Sequence, residues 1–155
     1  MFKKYLMLVL MVFLTACEHS EPFGNDQYGA PIPASWLAEQ WLVINYWAVW
    51  CAPCRQEIPE LNQLHSELAE NGVRVLGVNY DQLQGDALLA DSQRLQIAFP
   101  VLSRDPAARF KLPPTRGLPA TYLVNPQGVL VGELRGEQTQ QSIVDALRQA
   151  GWSAR

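Results

Sequence analysis

The stretch WLVINYWAVWCAPCRQEIP, residues 41–59, changes character at its middle. Its first half, WLVINYWAVW, is a nearly continuous run of apolar, β-branched and aromatic residues, as in a strand buried on both faces and therefore central in a sheet. After Cys51 the period becomes that of a helix: Ile58, Leu61, Leu64 and Leu68 fall on one side, and Gly72 offers a left-handed cap. Pro53 stands near the helix start, where its missing N–H is harmless, and Pro59 lies inside, where a kink is expected. VRVLGVN (73–79) reads as a second buried strand, so strand, helix and strand form one right-handed parallel unit.

Beyond it, GDALLADSQRLQ reads as a helix, FPVLS as a short extended piece and PAARFKL as one helical turn. LPATYLV (118–124), the turn NPQG and VLVGELR (129–135) give a hairpin whose four-residue turn leaves the register open. A last helix starts at the N-cap Thr139, buries Ile143, Val144 and Leu147, and ends at Gly151. The order is βαβ, an inserted helical segment, then ββα. It predicts an α/β fold with a central mixed β-sheet flanked by helices.

At the other end, Lys3 and Lys4 precede the apolar run YLMLVLMVFLTA, the pattern of a secretory leader rather than of a membrane-spanning domain. The run closes in LTAC, which resembles the lipobox of bacterial lipoproteins and implies cleavage before Cys17 and lipidation there. The expected layout is a signal peptide over 1–16, a lipid-anchored tether over 17–35, rich in Pro, Gly and short polar residues, and one domain over 36–155. Without the leader 10 basic residues face 15 acidic ones, a net charge of -5, and no basic stretch suggests nucleic acid.

Three cysteines leave an odd one in an exported chain. With Cys17 lipidated, Cys51 and Cys54 remain as a pair used for its own chemistry rather than as a general framework. Cys51 sits at a helix N-terminus, where the dipole and the unpaired N–H groups favour a thiolate, so it is the expected nucleophile. Cys54, one turn deeper, is placed to resolve a mixed disulfide. Glu57, three residues on, shares that side of the helix and is the candidate proton carrier for Cys54, a task that calls for a pKa raised by burial. A zinc site would need two further ligands, and only His19 in the tether and His65 on the helix exist. Both histidines read as surface residues, so no metal is expected.

These residues together resemble the thioredoxin superfamily and, within it, the TlpA/ResA-like membrane-anchored thiol-disulfide oxidoreductases. The resemblance rests on the buried strand, Trp50 before the first cysteine, Pro53 between the pair, the helix after it and GLPATYLV downstream, and it spans about residues 36 to 152. Where thioredoxins carry a buried aspartate six positions before the first cysteine this chain has Asn45, so the role of that carboxyl must move or vanish. The subgroup pattern C-x-P-C-x-x-E-x-P is matched by Cys51, Pro53, Cys54, Glu57 and Pro59, and the long segment between Asn79 and Pro119 looks like the subgroup's insertion.

The resemblance implies a thioredoxin-like fold, a cis bond before Pro119, a docking surface formed by Trp50 with Ala52 and Pro53, and a Leu118 backbone free to pair with an extended substrate. Trp41 and Trp47 are expected in the core, and Arg55 is either an electrostatic bias on the thiolate or an exposed helix residue. It also implies no cofactor beyond the Cys51–Cys54 disulfide, exported proteins with disulfides as substrates, cytochrome c maturation among the typical tasks, and a DsbD/CcdA-like membrane electron donor. The expected location is the cell envelope, facing the periplasm. Glu18, in place of aspartate after the lipidated cysteine, leaves inner and outer membrane both open. The pair alone does not fix the direction of electron flow, so a thiol oxidase or isomerase and a non-enzymatic metal-delivery or binding module are the rival readings.

Overall fold

The computed structural model describes residues 21–154. The expected leader, Cys17 and His19 lie outside the described residues. Strand β1 (Trp41–Trp47) is followed by helix α1 (Ala52–Leu68), β2 (Val73–Asn79), α2 (Gly85–Arg94), β3 (Val101–Leu102), the single turn α3 (Ala107–Phe110), β4 (Ala120–Val124), β5 (Leu130–Arg135) and α4 (Gln140–Gln149). The sheet runs β3-β2-β1-β4-β5, so the first strand read from the sequence is the central one. It pairs in parallel with β2, which pairs in parallel with β3, and antiparallel with β4, which pairs antiparallel with β5.

The continuous apolar run of β1 follows from its place between two cores. Val43 and Trp47 join Leu61, Phe99, Leu123, Ile143 and Leu147 on one side. Leu42, Ile44 and Tyr46 join Ile32, Leu76, Phe110 and Tyr122 on the other. Period-2 alternation therefore divides the strand between two apolar faces instead of an apolar and a polar one. Gly77 on β2 makes the first of these faces possible, because a Cβ there would stand 3.0 Å from the side chains of Phe99, Trp47 and Val101. α1 ends where its sequence says: after a short 3-10 extension, Gly72 takes the left-handed conformation at φ 75. The helix continues through Pro59 as one element. Thr139 caps α4 by accepting from the Ser142 N–H at 3.2 Å, and Ser142 Oγ accepts from Thr139 N–H in return. The hairpin register left open by NPQG is settled by a bulge between Leu123 and Val124.

Two expectations are corrected. The tether drawn through residue 35 is packed from Phe23 onward: Ile32 is buried, and the carboxamide of Gln27 donates to Phe99 O at 3.1 Å and accepts from Val101 N–H at 2.7 Å. Asn25 O accepts from Ser103 N–H at 2.9 Å, so this segment lies along the β3 edge. Its anchors are single residues without a period, which is why it reads as linker. His65, expected at the surface, is half-buried, and burial with the Arg74 charge lowers its pKa.

Candidate active site

Cys51 ends the turn after β1 and is the N-cap of α1. Its backbone N–H donates to Ala48 O at 3.1 Å, and its sulfur accepts the Cys54 N–H at 3.2 Å. That N–H is one of the orphan donors of a helix start, and no acidic residue stands in the first turn to offset the positive end of the dipole. The two sulfurs are bonded at 2.02 Å, with 5.3 Å between the Cα atoms. Cys51 keeps 5% of its surface and Cys54 none, so an approaching thiolate or disulfide meets Cys51 first.

The surroundings of Cys51 are a shelf. Trp50 is 60% exposed, its indole N–H donates to Asp81 at 2.9 Å, and its ring meets Tyr80 edge to face with centroids 6.2 Å apart. Ala52 is exposed and Pro53 half-exposed beside it. Arg55 is exposed and its guanidinium donates to the Val49 carbonyl at 2.9 Å, a bond to backbone on the solvent side of the turn. The Leu118–Pro119 peptide bond is cis. Pro119 O accepts from Gly136 N–H at 3.0 Å, while the Leu118 N–H and carbonyl have no backbone partner among the described residues. Trp47 is fully buried, and Trp41 packs half-buried against the same core.

Behind the cysteines lies a buried polar network. Glu57 is fully buried, as are Asn45 and Thr121. The Asn45 amide donates to Glu57 Oε2 at 3.1 Å and to Thr121 Oγ1 at 2.9 Å. Glu57 Oε1 has no partner among the described residues. Burial pushes the Glu57 carboxyl up to about 7; the Asn45 hydrogen bond and the nearby Gln138 backbone pull it down, and the Glu137 charge pushes it further up. Glu57 and Cys54 lie one turn apart on the buried side of α1. The arrangement supplies a carboxyl that holds or releases a proton near neutral pH next to the cysteine that water does not reach.

Sequence reasoning named Glu57 but treated Asn45 only as a missing aspartate. The signal was present, since Asn45 is the sole hydrogen-bonding amide in WLVINYW, and a buried amide demands a partner. The carboxyl that β1 lacks is supplied by α1 across the same space, with Asn45 holding it. Thr121 and the Asp81 partner of Trp50 were also missed; each is set by a tertiary contact with no local pattern. Among the described residues no group of three or more His, Cys, Asp or Glu side chains forms a metal site.

A mixed sheet of this topology, with one sulfur offered at a helix start and its partner sealed behind it, defines a thioredoxin-like protein that works through its own disulfide and needs no added cofactor. The chain belongs to the AhpC/TSA family, whose model matches residues 16–132. It is 29% identical over 127 residues to the thiol-disulfide oxidoreductase ResA of Bacillus subtilis (strain 168), covering 78% of this chain and 67% of that protein. To the protein of the same name from Bacillus anthracis it is 26% identical over 124 residues, covering 80% and 71%. Among solved structures, a thiol:disulfide interchange protein of the thioredoxin family from Chlorobium tepidum TLS matches with a TM-score of 0.68 at 21% identity, covering 84% of this chain and 97% of that one. StoA from Bacillus subtilis matches with a TM-score of 0.64 at 18% identity, covering 79% and 92%. The enzyme class is thiol-disulfide oxidoreductase.

Proposed function

We propose that the protein is a lipid-anchored reductant of disulfides in exported proteins of the bacterial cell envelope, facing the periplasm. The observation that carries the reading is the fully buried Glu57, with its carboxyl near neutrality, on the same side of α1 as the fully buried Cys54. In the reduced enzyme the Cys51 thiolate attacks one sulfur of the substrate disulfide, forming a mixed disulfide and releasing one substrate thiolate. Cys54 gives its proton to Glu57 and attacks Cys51 Sγ, closing the internal disulfide and releasing the second substrate thiolate, which takes a proton from Glu57 or water. Two electrons have passed to the substrate. A membrane donor of the DsbD/CcdA kind returns them from the cytoplasmic side. The Trp50 shelf and the unpaired Leu118 backbone seat the substrate as an added strand, with Ala52 and Pro53 at its edge. Lipidation at Cys17 holds the domain at the membrane, and the disulfides of apocytochromes, reduced to the thiols that haem attachment needs, are one target class that suits this placement.

The direction is tested by the reduction potential of the Cys51/Cys54 couple in the chain beginning after Cys17. A value at or below about -250 mV, on the thioredoxin side of the scale, is expected. A value near -120 mV, roughly that of a strong thiol oxidant, overturns the reductant reading. Lipidation is tested separately: Cys17→Ala is expected to move the protein from the membrane fraction to the soluble one.

A further inference from the structure

Beside the Trp50 shelf the surface opens into a cavity of about 440 Å³ that none of the roles above uses. One wall is Tyr80, the residue that meets Trp50 edge to face. A second wall is Pro113, Pro114 and Thr115, on the segment that runs into Leu118 and the cis Pro119. This second wall is fixed from below, where the buried Tyr122 hydroxyl donates to Pro113 O at 3.1 Å and lies 3.3 Å from Thr115 Oγ1. The cavity thus shares Tyr80 with the Trp50 shelf and is lined by the chain that leads to Leu118, the two surfaces read above as seating the substrate.

The lining carries a single charge, Asp105. Its Oδ1 accepts the Tyr46 hydroxyl at 2.6 Å and the Ala107 N–H at 2.8 Å, which sets the carboxylate plane and leaves Oδ2 without a partner among the described residues. The flanking arginines do not neutralise it: Arg104 and Arg109 lie over the Phe23 ring, 5.2 and 6.0 Å from its centroid. A carboxylate with no ion-pair partner among the described residues, in a lining that also carries the rings of Tyr46 and Tyr80, suits a positively charged side chain on both counts. The groove on the far side of Pro119, about 200 Å³, has the opposite bias, with Arg116 and Arg135 against Glu133 alone.

We propose that the Asp105 cavity is a specificity subsite that receives the basic side chain, lysine or arginine, of a residue flanking the target disulfide in the substrate polypeptide. The inference rests on the reading of the Cys51–Cys54 pair as a reductant of protein disulfides. With the arginine-lined groove opposite, it also gives the bound strand a direction across the cysteines.

The test uses the reduced protein and a set of peptide disulfides identical except for one flanking position, occupied by Arg, Lys, Gln or Glu, placed before or after the cysteine. Second-order rate constants are measured alongside hydroxyethyl disulfide, which has no side chain to seat. The Arg and Lys peptides are expected to react about tenfold faster than the Gln peptide in one of the two placements, with the advantage shrinking as salt rises. Asp105→Asn, which keeps both acceptor bonds of Oδ1, is expected to abolish that advantage, and Tyr80→Ala on the exposed wall to reduce it. Equal rates across the set with hydroxyethyl disulfide still reduced, or a basic preference unchanged in Asp105→Asn, overturn the subsite alone. Failure to reduce hydroxyethyl disulfide overturns the redox reading and the subsite with it.

Discussion

Asn45 and Tyr46 are neighbours on β1, and their side chains leave the sheet on opposite faces. Each holds a carboxyl. Asn45 holds Glu57 where no solvent reaches, and the proton affinity of that carboxyl rises to about 7. Tyr46 holds Asp105 at the rim of an open cavity, and there it is the hydroxyl whose pKa is raised, first by burial and then by the Asp105 bond and charge. The same central strand thus supports one carboxyl sealed from solvent, whose ionisation burial opposes, and another that stands at the surface. Solvent access, more than the hydrogen bond, separates the two.

The largest test of this contrast is Glu57→Gln. A folded-state pKa raised from 4.5 to about 7 means that Glu57 binds a proton more tightly in the folded chain than in the unfolded one. Its favourable state is complete below the unfolded value and is lost as pH rises through the folded value. Glu57→Gln is therefore expected to be more stable than the parent at pH 8, by as much as about 3 kcal/mol, with the difference vanishing near pH 4. Denaturant unfolding at the two pH values measures it. The same variant is expected to lose the limb near pH 7 in the rate of disulfide exchange, with a drop of about tenfold or more at neutrality. An unchanged pH profile would remove Glu57 from the mechanism.

A smaller effect is expected from Asn45→Asp, which sets a second buried carboxyl against the first. The two titrate as a pair, and the second proton should leave about one unit or more above the parent value. The pH profile of exchange reports it; a profile that stays in place would show that Asn45 does not govern Glu57. The smallest effect belongs to the other face. Tyr46→Phe keeps the ring and removes the hydroxyl from Asp105, and because Asp105 is exposed and turns to water, the loss should be about 1 kcal/mol at neutral pH. The sign is opposite to that of Glu57→Gln. A gain in stability would end the comparison.

How much of this was legible follows from what each feature depends on. The central strand, the CAPC helix start, the second parallel strand and the Thr139 cap are written in local period and capping chemistry, and they stand where the sequence placed them. Glu57 was legible because a three-residue spacing puts it beside Cys54 on any helix. Its environment was not, because the Asn45 and Thr121 contacts cross 12 and 76 residues of chain. The Tyr46–Asp105 bond spans 59 residues and was invisible for the same reason. The docking of residues 23–32 escaped because its anchors, among them Phe23, Asn25, Gln27 and Ile32, are scattered single residues without the period of a helix or strand.

Gln27 has a further consequence. A two-residue strand at the margin of a sheet leaves unpaired N–H and carbonyl groups, a template on which another chain can add. The Gln27 carboxamide donates to one such carbonyl and accepts from one such N–H, so a side chain stands in for a missing strand. Proteolytic trimming up to Phe23 would leave that plug in place, whereas trimming past Gln27 would expose the Phe99 carbonyl and the Val101 N–H to any strand able to pair with them. The segment that reads as a mere connection thereby closes two of the open hydrogen-bonding groups at the margin of the sheet.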